Sequence, residues 1–79
     1  MENAFTKVQG QYLAFIMAYT KLNRRAPAEA DFQRYFEVTA PSVHNMIVTL
    51  ERRGLIKRTP GRARSIEIVV PLNEVPPLD

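Results

Sequence analysis

A group of hydrogen-bonding side chains is followed closely by a group of basic ones in the second half of the chain. Hydroxyl, imidazole and amide groups come from Ser42, His44, Asn45 and Thr49. Six of the eleven lysines and arginines then occur without an intervening acid: Arg52, Arg53, Lys57, Arg58, Arg62 and Arg64. Amides and hydroxyls can pair with base edges, an asparagine bidentately with adenine, and clustered arginines neutralise phosphates. We predict a DNA-binding surface here, the alternative for the basic cluster being a solvated face.

One helix, over residues 39–54, is predicted to carry the hydrogen-bonding group and the first two arginines. Thr39 can cap its start, Pro41 suits its first turn, and Gly54 is placed to end it. An apolar stripe at three- and four-residue spacing is formed by Val43, Met46, Ile47 and Leu50. The opposite face is polar near the start, where it would read bases, and basic near the end, where Thr49, Arg52 and Arg53 would contact the DNA backbone. This arrangement is typical of a recognition helix that lies in the major groove of DNA.

Two helices are predicted to precede the recognition helix. The first spans about residues 7–22, with Thr6 and Gln9 forming a capping box, and the second spans about residues 28–36. The loop between them carries Arg24 and Arg25, which either contact phosphates or are solvated. A short helix, a three-residue turn and a second helix with a polar outer face predict a helix-turn-helix.

After Gly54 the apolar period changes to that of a hairpin, with strands over residues 55–59 and 65–70. We expect Arg62 and Arg64 at its tip, so residues 59–65 would form a wing on the DNA backbone or in a minor groove. The predicted fold is mainly α with a small β-hairpin, a three-helix winged helix-turn-helix over residues 1–70. A proline-rich tail, residues 71–79, is expected to be mostly extended, the alternative being that Leu72, Val75 and Leu78 pack back on the domain or dock a partner.

Other classes of function find little support in the composition. The 79 residues suit one small domain, and the net charge of +3 permits a nucleic-acid partner. There is no cysteine and only one histidine, and the helix dipole accounts for Glu29 and Asp31. We therefore expect no catalytic residues, metal, cofactor or small-molecule ligand. No apolar run reaches the roughly 18 residues of a membrane span, so a cytoplasmic location is expected.

Several motifs together resemble the N-terminal DNA-binding domain of the LexA repressors over about residues 5–70. They are L-E-R-R-G-L-I at 50–56 and P-G-R-A-R-S-I at 60–66, with Ser42-Val43-His44, Phe15-Ile16 and the start of the first helix. The resemblance implies a transcriptional repressor fold and, with it, a location at the bacterial nucleoid. By position it implies base contacts from Thr39, Pro41, Ser42, His44 and Asn45, and phosphate contacts from Arg52, Arg53, Arg62 and Arg64.

The sequence also departs from that family. Glu37 stands at a turn position where the family usually has glycine or another small residue, and His44 and Asn45 replace an acidic pair. The operator of a typical SOS-response repressor is therefore not implied. LexA repressors continue into a self-cleaving serine–lysine protease domain, whereas this sequence stops at Asp79 and offers no such dyad. We expect a stand-alone DNA-binding domain.

Two questions remain open at this level. The domain would either bind DNA weakly as a monomer or pair on DNA as a homodimer, because a module of this size makes few contacts. The alternative to DNA binding is a winged-helix protein-interaction module. Val48, which projects away from the main apolar stripe, most favours that alternative.

Overall fold

The computed structural model describes residues 5–79, so the first four positions of the predicted domain lie outside the described residues. The elements are, in order, the helices α1 (Lys7–Asn23), α2 (Glu29–Phe36) and α3 (Ala40–Arg52), the strands β1 (Ile56–Lys57) and β2 (Glu67–Ile68), and a 3₁₀ helix (Leu72–Glu74). Three helices followed by an antiparallel two-stranded hairpin confirm the predicted winged helix-turn-helix.

Local hydrogen bonds fix the ends of α1 and α3 close to where the sequence predicted them. Thr6 Oγ1 accepts from the Gln9 amide at 3.1 Å, and Gln9 Oε1 accepts from the Thr6 amide at 3.0 Å, which completes the capping box. α3 ends in a Schellman motif, because the Leu55 amide donates to Leu50 O and the Gly54 amide to Glu51 O, both at 3.0 Å. Gly54 has the left-handed φ of 75° that this motif requires.

The apolar stripe of α3 forms the centre of the core. Val43, Ile47 and Leu50 are completely buried, as are Leu13 of α1 and Phe32 of α2. Aromatic rings join the first two helices, with the Tyr12 ring stacked on Phe36 and on Phe32 at centroid distances of 4.6 and 5.2 Å. Because one face of α3 is used entirely in packing, its opposite face is left to solvent.

The hairpin is shorter than predicted. Only Ile56 pairs with Ile68 and Lys57 with Glu67, whereas strands over residues 55–59 and 65–70 were expected. The Thr59 amide donates to Ser65 Oγ at 2.9 Å instead of to the opposite strand. Arg64 has a left-handed φ of 53°, which interrupts the extended conformation before β2. Side-chain contacts therefore replace the expected ladder at the wing.

The C-terminal tail is packed on the helices, which is the alternative that the sequence left beside a mostly extended tail. The Gln11 side chain donates to Pro77 O at 2.9 Å and accepts from the Asp79 amide at 2.8 Å. Tyr35 donates its hydroxyl to Asp79 O, and Val75 and Leu78 pack against the core. A Cβ on Gly10 would lie 3.0 Å from Pro76 Cγ, so the tail approaches α1 where the helix has no side chain.

Candidate nucleic-acid interface

The start of α3 carries an exposed polar surface. All five residues predicted to read bases are exposed there: Thr39, Pro41, Ser42, His44 and Asn45. At about 100° per residue, positions 41, 42, 44 and 45 span roughly 160° of the helix circumference. The buried stripe occupies the other side. The structure thus brings the five residues to one side of a helix that is held firmly from behind.

Not all of these side chains are equally available for a partner. Thr39 Oγ1 accepts from the Ser42 amide at 3.3 Å and donates to Ser42 Oγ at 2.9 Å, because Thr39 is the N-cap of α3. The Thr49 hydroxyl donates to the carbonyl of Asn45 at 2.9 Å within the same helix. The side-chain amide of Asn45, by contrast, makes no hydrogen bond to any group among residues 5–79. Both its NH₂ donor and its oxygen acceptor are therefore available.

His44 belongs to a charged network that the sequence did not reveal. Its Nδ1 lies 3.2 Å from Glu29 Oε2, and the same oxygen lies 3.7 Å from Arg58 Nη1. Arg58 also donates to Glu51 Oε1, at 2.8 Å from Nη2 and 3.2 Å from Nε. With Nδ1 facing Glu29, the other ring nitrogen of His44, Nε2, has no partner among the described residues. No local pattern signals this network, because α2, α3 and the wing each contribute to it.

Ion pairs occupy part of the basic cluster. Lys57 pairs with Glu67 at 3.7 Å, and Arg58 and Arg64 pair with carboxylates of the helices. Within the described chain, Arg52 and Arg62 are exposed and make no ion pair, and the same holds for Arg24 and Arg25. Arg53 is exposed, and its Nη1 donates to the capping Gln9 at 3.2 Å. The six basic residues between positions 52 and 64 therefore do not form one uniform surface.

Arg64 lies differently from the sequence expectation, which placed it at the wing tip as a phosphate contact. Its Nη1 donates to Tyr19 Oη at 3.1 Å, to Ala26 O at 3.2 Å and to Asp31 Oδ2 at 3.1 Å. The left-handed backbone at Arg64 turns this side chain back onto the helices. Of the two arginines predicted at the tip, only Arg62 extends into solvent.

Asp31, the partner of Arg64, is a buried carboxylate with several donors around it. Burial disfavours its charged form, but the Ala28 amide, Arg64, the Tyr19 hydroxyl and Arg34 together outweigh that effect and hold the pKa of Asp31 below its usual value. The Ala28 amide donates to Asp31 Oδ2 at 2.8 Å, and Arg34 pairs with the other carboxylate oxygen, Oδ1. Asp31 is thus held ionised, and the helix dipole is only part of its role.

Two other kinds of site are absent from the same residues. Between Phe5 and Asp79, no three acidic, histidine or cysteine side chains are grouped so that they could hold a metal ion. No helix in this part of the chain is long and apolar enough to cross a membrane.

Comparison with known proteins agrees with the geometry. Residues 2–65 match the family model described as the LexA DNA binding domain. The chain is 34% identical over 64 residues to the LexA repressor of Thermosipho melanesiensis, covering 81% of this chain and 32% of that protein. It is 37% identical over 62 residues to the LexA repressor of Bartonella quintana, covering 77% of this chain and 26% of that protein. The chain thus spans about a third or less of the length of these relatives. Since the family model matches most of its residues, the chain belongs to the LexA DNA-binding domain family.

Proposed function

We propose that this chain binds double-stranded DNA sequence-specifically as a LexA-like transcriptional regulator, a repressor, with α3 in the major groove. The observation that carries the proposal is the exposed polar side of α3 opposite an apolar stripe in which Val43, Ile47 and Leu50 are completely buried. A helix inserted into a groove needs hydrogen-bonding groups on its outer side and a rigid support behind it. The family membership supports the same conclusion.

Asn45 is the main base-reading residue in this proposal. Its amide has no competing partner among the described residues, and one amide can pair with both N7 and N6 of adenine. Ser42 and His44 read neighbouring positions, His44 through the nitrogen that does not face Glu29. Thr39 and Pro41 contribute apolar contacts, such as with a thymine methyl group, because the Thr39 hydroxyl already caps the helix.

The unpaired arginines hold the DNA backbone. Arg52 lies at the end of α3, Arg62 at the wing tip, and Arg24 and Arg25 after α1, with Thr49 and Arg53 as further backbone contacts. If the four unpaired arginines each neutralise one phosphate, log affinity falls against log salt with a slope of roughly −4. Arg64 is not included, because its guanidinium faces the helices.

Two copies bind a two-fold site in this proposal, because one small module makes too few contacts for tight specific binding. Sedimentation with duplexes that carry one or two half-sites tests this part. Two copies per two-site duplex are expected, and one copy at every protein concentration would refute the pairing.

The experiment that tests the function measures binding to a selected duplex and to a scrambled one across a salt series. Asn45→Ala should reduce discrimination between the two duplexes, whereas Arg62→Ala should weaken both equally and reduce the salt slope by about 1. Lys7→Ala, which removes the same charge on α1 beside the docked tail, is the matched control and should change neither.

Absence of binding at low salt would overturn this function and favour the protein-interaction module. Val48, the residue that most supported the module, is half-buried and so presents little surface to a partner. Under that alternative, Val48→Asp would abolish complex formation, and Asn45→Ala and Arg62→Ala would have no effect on nucleic acid.

A further inference from the structure

We propose that Arg64 and Asp31 are positioning residues that set the direction of the wing, and so place Arg62 against the DNA backbone. This inference rests on the proposed DNA binding for its second half only. Its first half, that this pair holds the wing on the helices, stands on the geometry alone.

Arg64 attaches the wing to three separate parts of the domain. One guanidinium nitrogen donates to the hydroxyl of Tyr19 in α1, to the carbonyl of Ala26 in the loop, and to the carboxylate of Asp31 in α2. The guanidinium carbon also lies 6.0 Å from the centre of the Tyr19 ring. Nη1 carries two hydrogens, so the three acceptors share them, and three acceptors on three elements hold the guanidinium in place better than a single ion pair would.

The acceptor end of this attachment is itself rigid. The side chain of Asp31 is only 5% exposed, and its Oδ2 also accepts from the Ala28 amide at 2.8 Å. Arg34 pairs with Oδ1, so both carboxylate oxygens are in use. The position of the Asp31 carboxylate is therefore fixed by groups of its own helix, independently of Arg64.

The strand ladder itself fixes the direction of the wing only weakly, although the buried Ile56 and Ile66 hold its base and Arg58, just after β1, is bound to Glu51. Each strand contributes only two residues, and a two-residue ladder specifies the orientation of a hairpin weakly. Arg64 lies two positions after Arg62 and has a left-handed backbone, which persists in a non-glycine residue when surrounding contacts impose it. The turn between Thr59 and Arg62, closed by a 3.1 Å backbone hydrogen bond, transmits that constraint to the tip.

The first test needs no DNA. Amide hydrogen exchange of residues 59–65 is measured in the unchanged chain, in Arg64→Ala and in Arg34→Ala. Arg34→Ala is the matched control, because it removes an arginine from Asp31 without touching the wing. Arg64→Ala should accelerate exchange of the Thr59 and Arg62 amides by tenfold or more, and Arg34→Ala should not. Tyr19→Phe, which removes one acceptor and keeps the ring, should give a smaller acceleration and serves if Arg64→Ala fails to fold. Unchanged exchange in both Arg64→Ala and Tyr19→Phe would show that Arg64 does not hold the wing on the helices.

The second test is a double-substitution cycle of DNA binding with Arg62→Ala and Arg64→Ala. If Arg64 acts through Arg62, each single substitution weakens binding, but the pair is no weaker than Arg62→Ala and the salt slope falls by about 1 in total. If Arg64 contacts a phosphate itself, the losses multiply and the slope falls by about 2, which would overturn its role as a positioning residue. Failure of the unchanged chain to bind DNA would overturn the proposed function and, with it, the placement of Arg62. The exchange measurement would still decide whether Arg64 holds the wing.

Discussion

Glu37→Gly should stabilise the domain, because Glu37 ends α2 in a conformation that suits glycine. Its φ is 56° and its amide donates to Gln33 O, so it occupies the left-handed position of a helix C-cap. A left-handed residue with a side chain costs about 1–2 kcal/mol, while glycine loses about 0.5–1 kcal/mol more backbone entropy on folding than alanine. The net gain should therefore be about 0.5–1 kcal/mol.

That gain is large enough to measure by thermal denaturation. For a domain of this size about 1 kcal/mol corresponds to roughly 4–8 °C, so Tm should rise by about 2 to 8 °C. Glu37→Ala is the matched control, since it removes the same carboxylate but keeps the backbone strain. Glycine and alanine variants of equal Tm would show that the charge, and not the left-handed backbone, determines the effect, and would refute the reasoning.

Three further expectations concern acid stability, the docked tail and the cap of α3. Because the pKa of Asp31 is lowered by folding, its stabilisation is present above the unfolded pKa of about 3.9 and is lost as pH falls through the folded value. Denaturation curves should therefore show Asp31→Asn less stable than the unchanged chain at pH 7, with this difference in stability disappearing below about pH 4. A difference that persists at low pH would contradict the role assigned to the ionised Asp31. Gly10→Ala should destabilise the domain, since the new Cβ would lie 3.0 Å from Pro76 Cγ and 3.1 Å from Phe5 Cε1, and Pro76→Ala should relieve part of that loss; additive effects in thermal melts would argue against the Pro76 contact. Thr39→Ala should cost about 1 kcal/mol by loss of the cap, whereas Thr39→Ser should keep the stability and lower DNA affinity only if the methyl group touches a base.

The parts of the fold that depend on near neighbours could be predicted from the sequence. The capping box of α1 links residues three apart, and the Schellman motif after α3 links residues three and five apart. The buried stripe of α3 follows from helical spacing alone. In each case the interacting residues lie within one or two helical turns of each other, so the order of the helices and the exposed side of α3 could be predicted from the sequence.

The parts that depend on distant partners could not be predicted in the same way. Arg64 finds Asp31 across 33 residues, and Gln11 holds Asp79 across 68. A run of arginines does not indicate which of them folding will pair with a carboxylate. The alternation of Ile66, Ile68 and Val70 suggested longer strands, but the left-handed backbone at Arg64 and the Thr59–Ser65 bond limited their length.

Pairing within the basic cluster has a consequence for binding. At each end of the surface proposed to contact the DNA backbone, an unpaired arginine lies beside a residue that is held by an ion pair. Arg52 follows Glu51, which is bound to Arg58, and Arg62 precedes Arg64, which is bound to Asp31. Each carboxylate therefore neutralises one arginine that could have faced DNA, but it also fixes the segment that carries a neighbouring unpaired arginine. Substituting an unpaired arginine should lower affinity through lost charge, whereas substituting its anchor should lower affinity only while the unpaired arginine is present. The double-substitution cycle separates these two causes, which a count of basic residues cannot do.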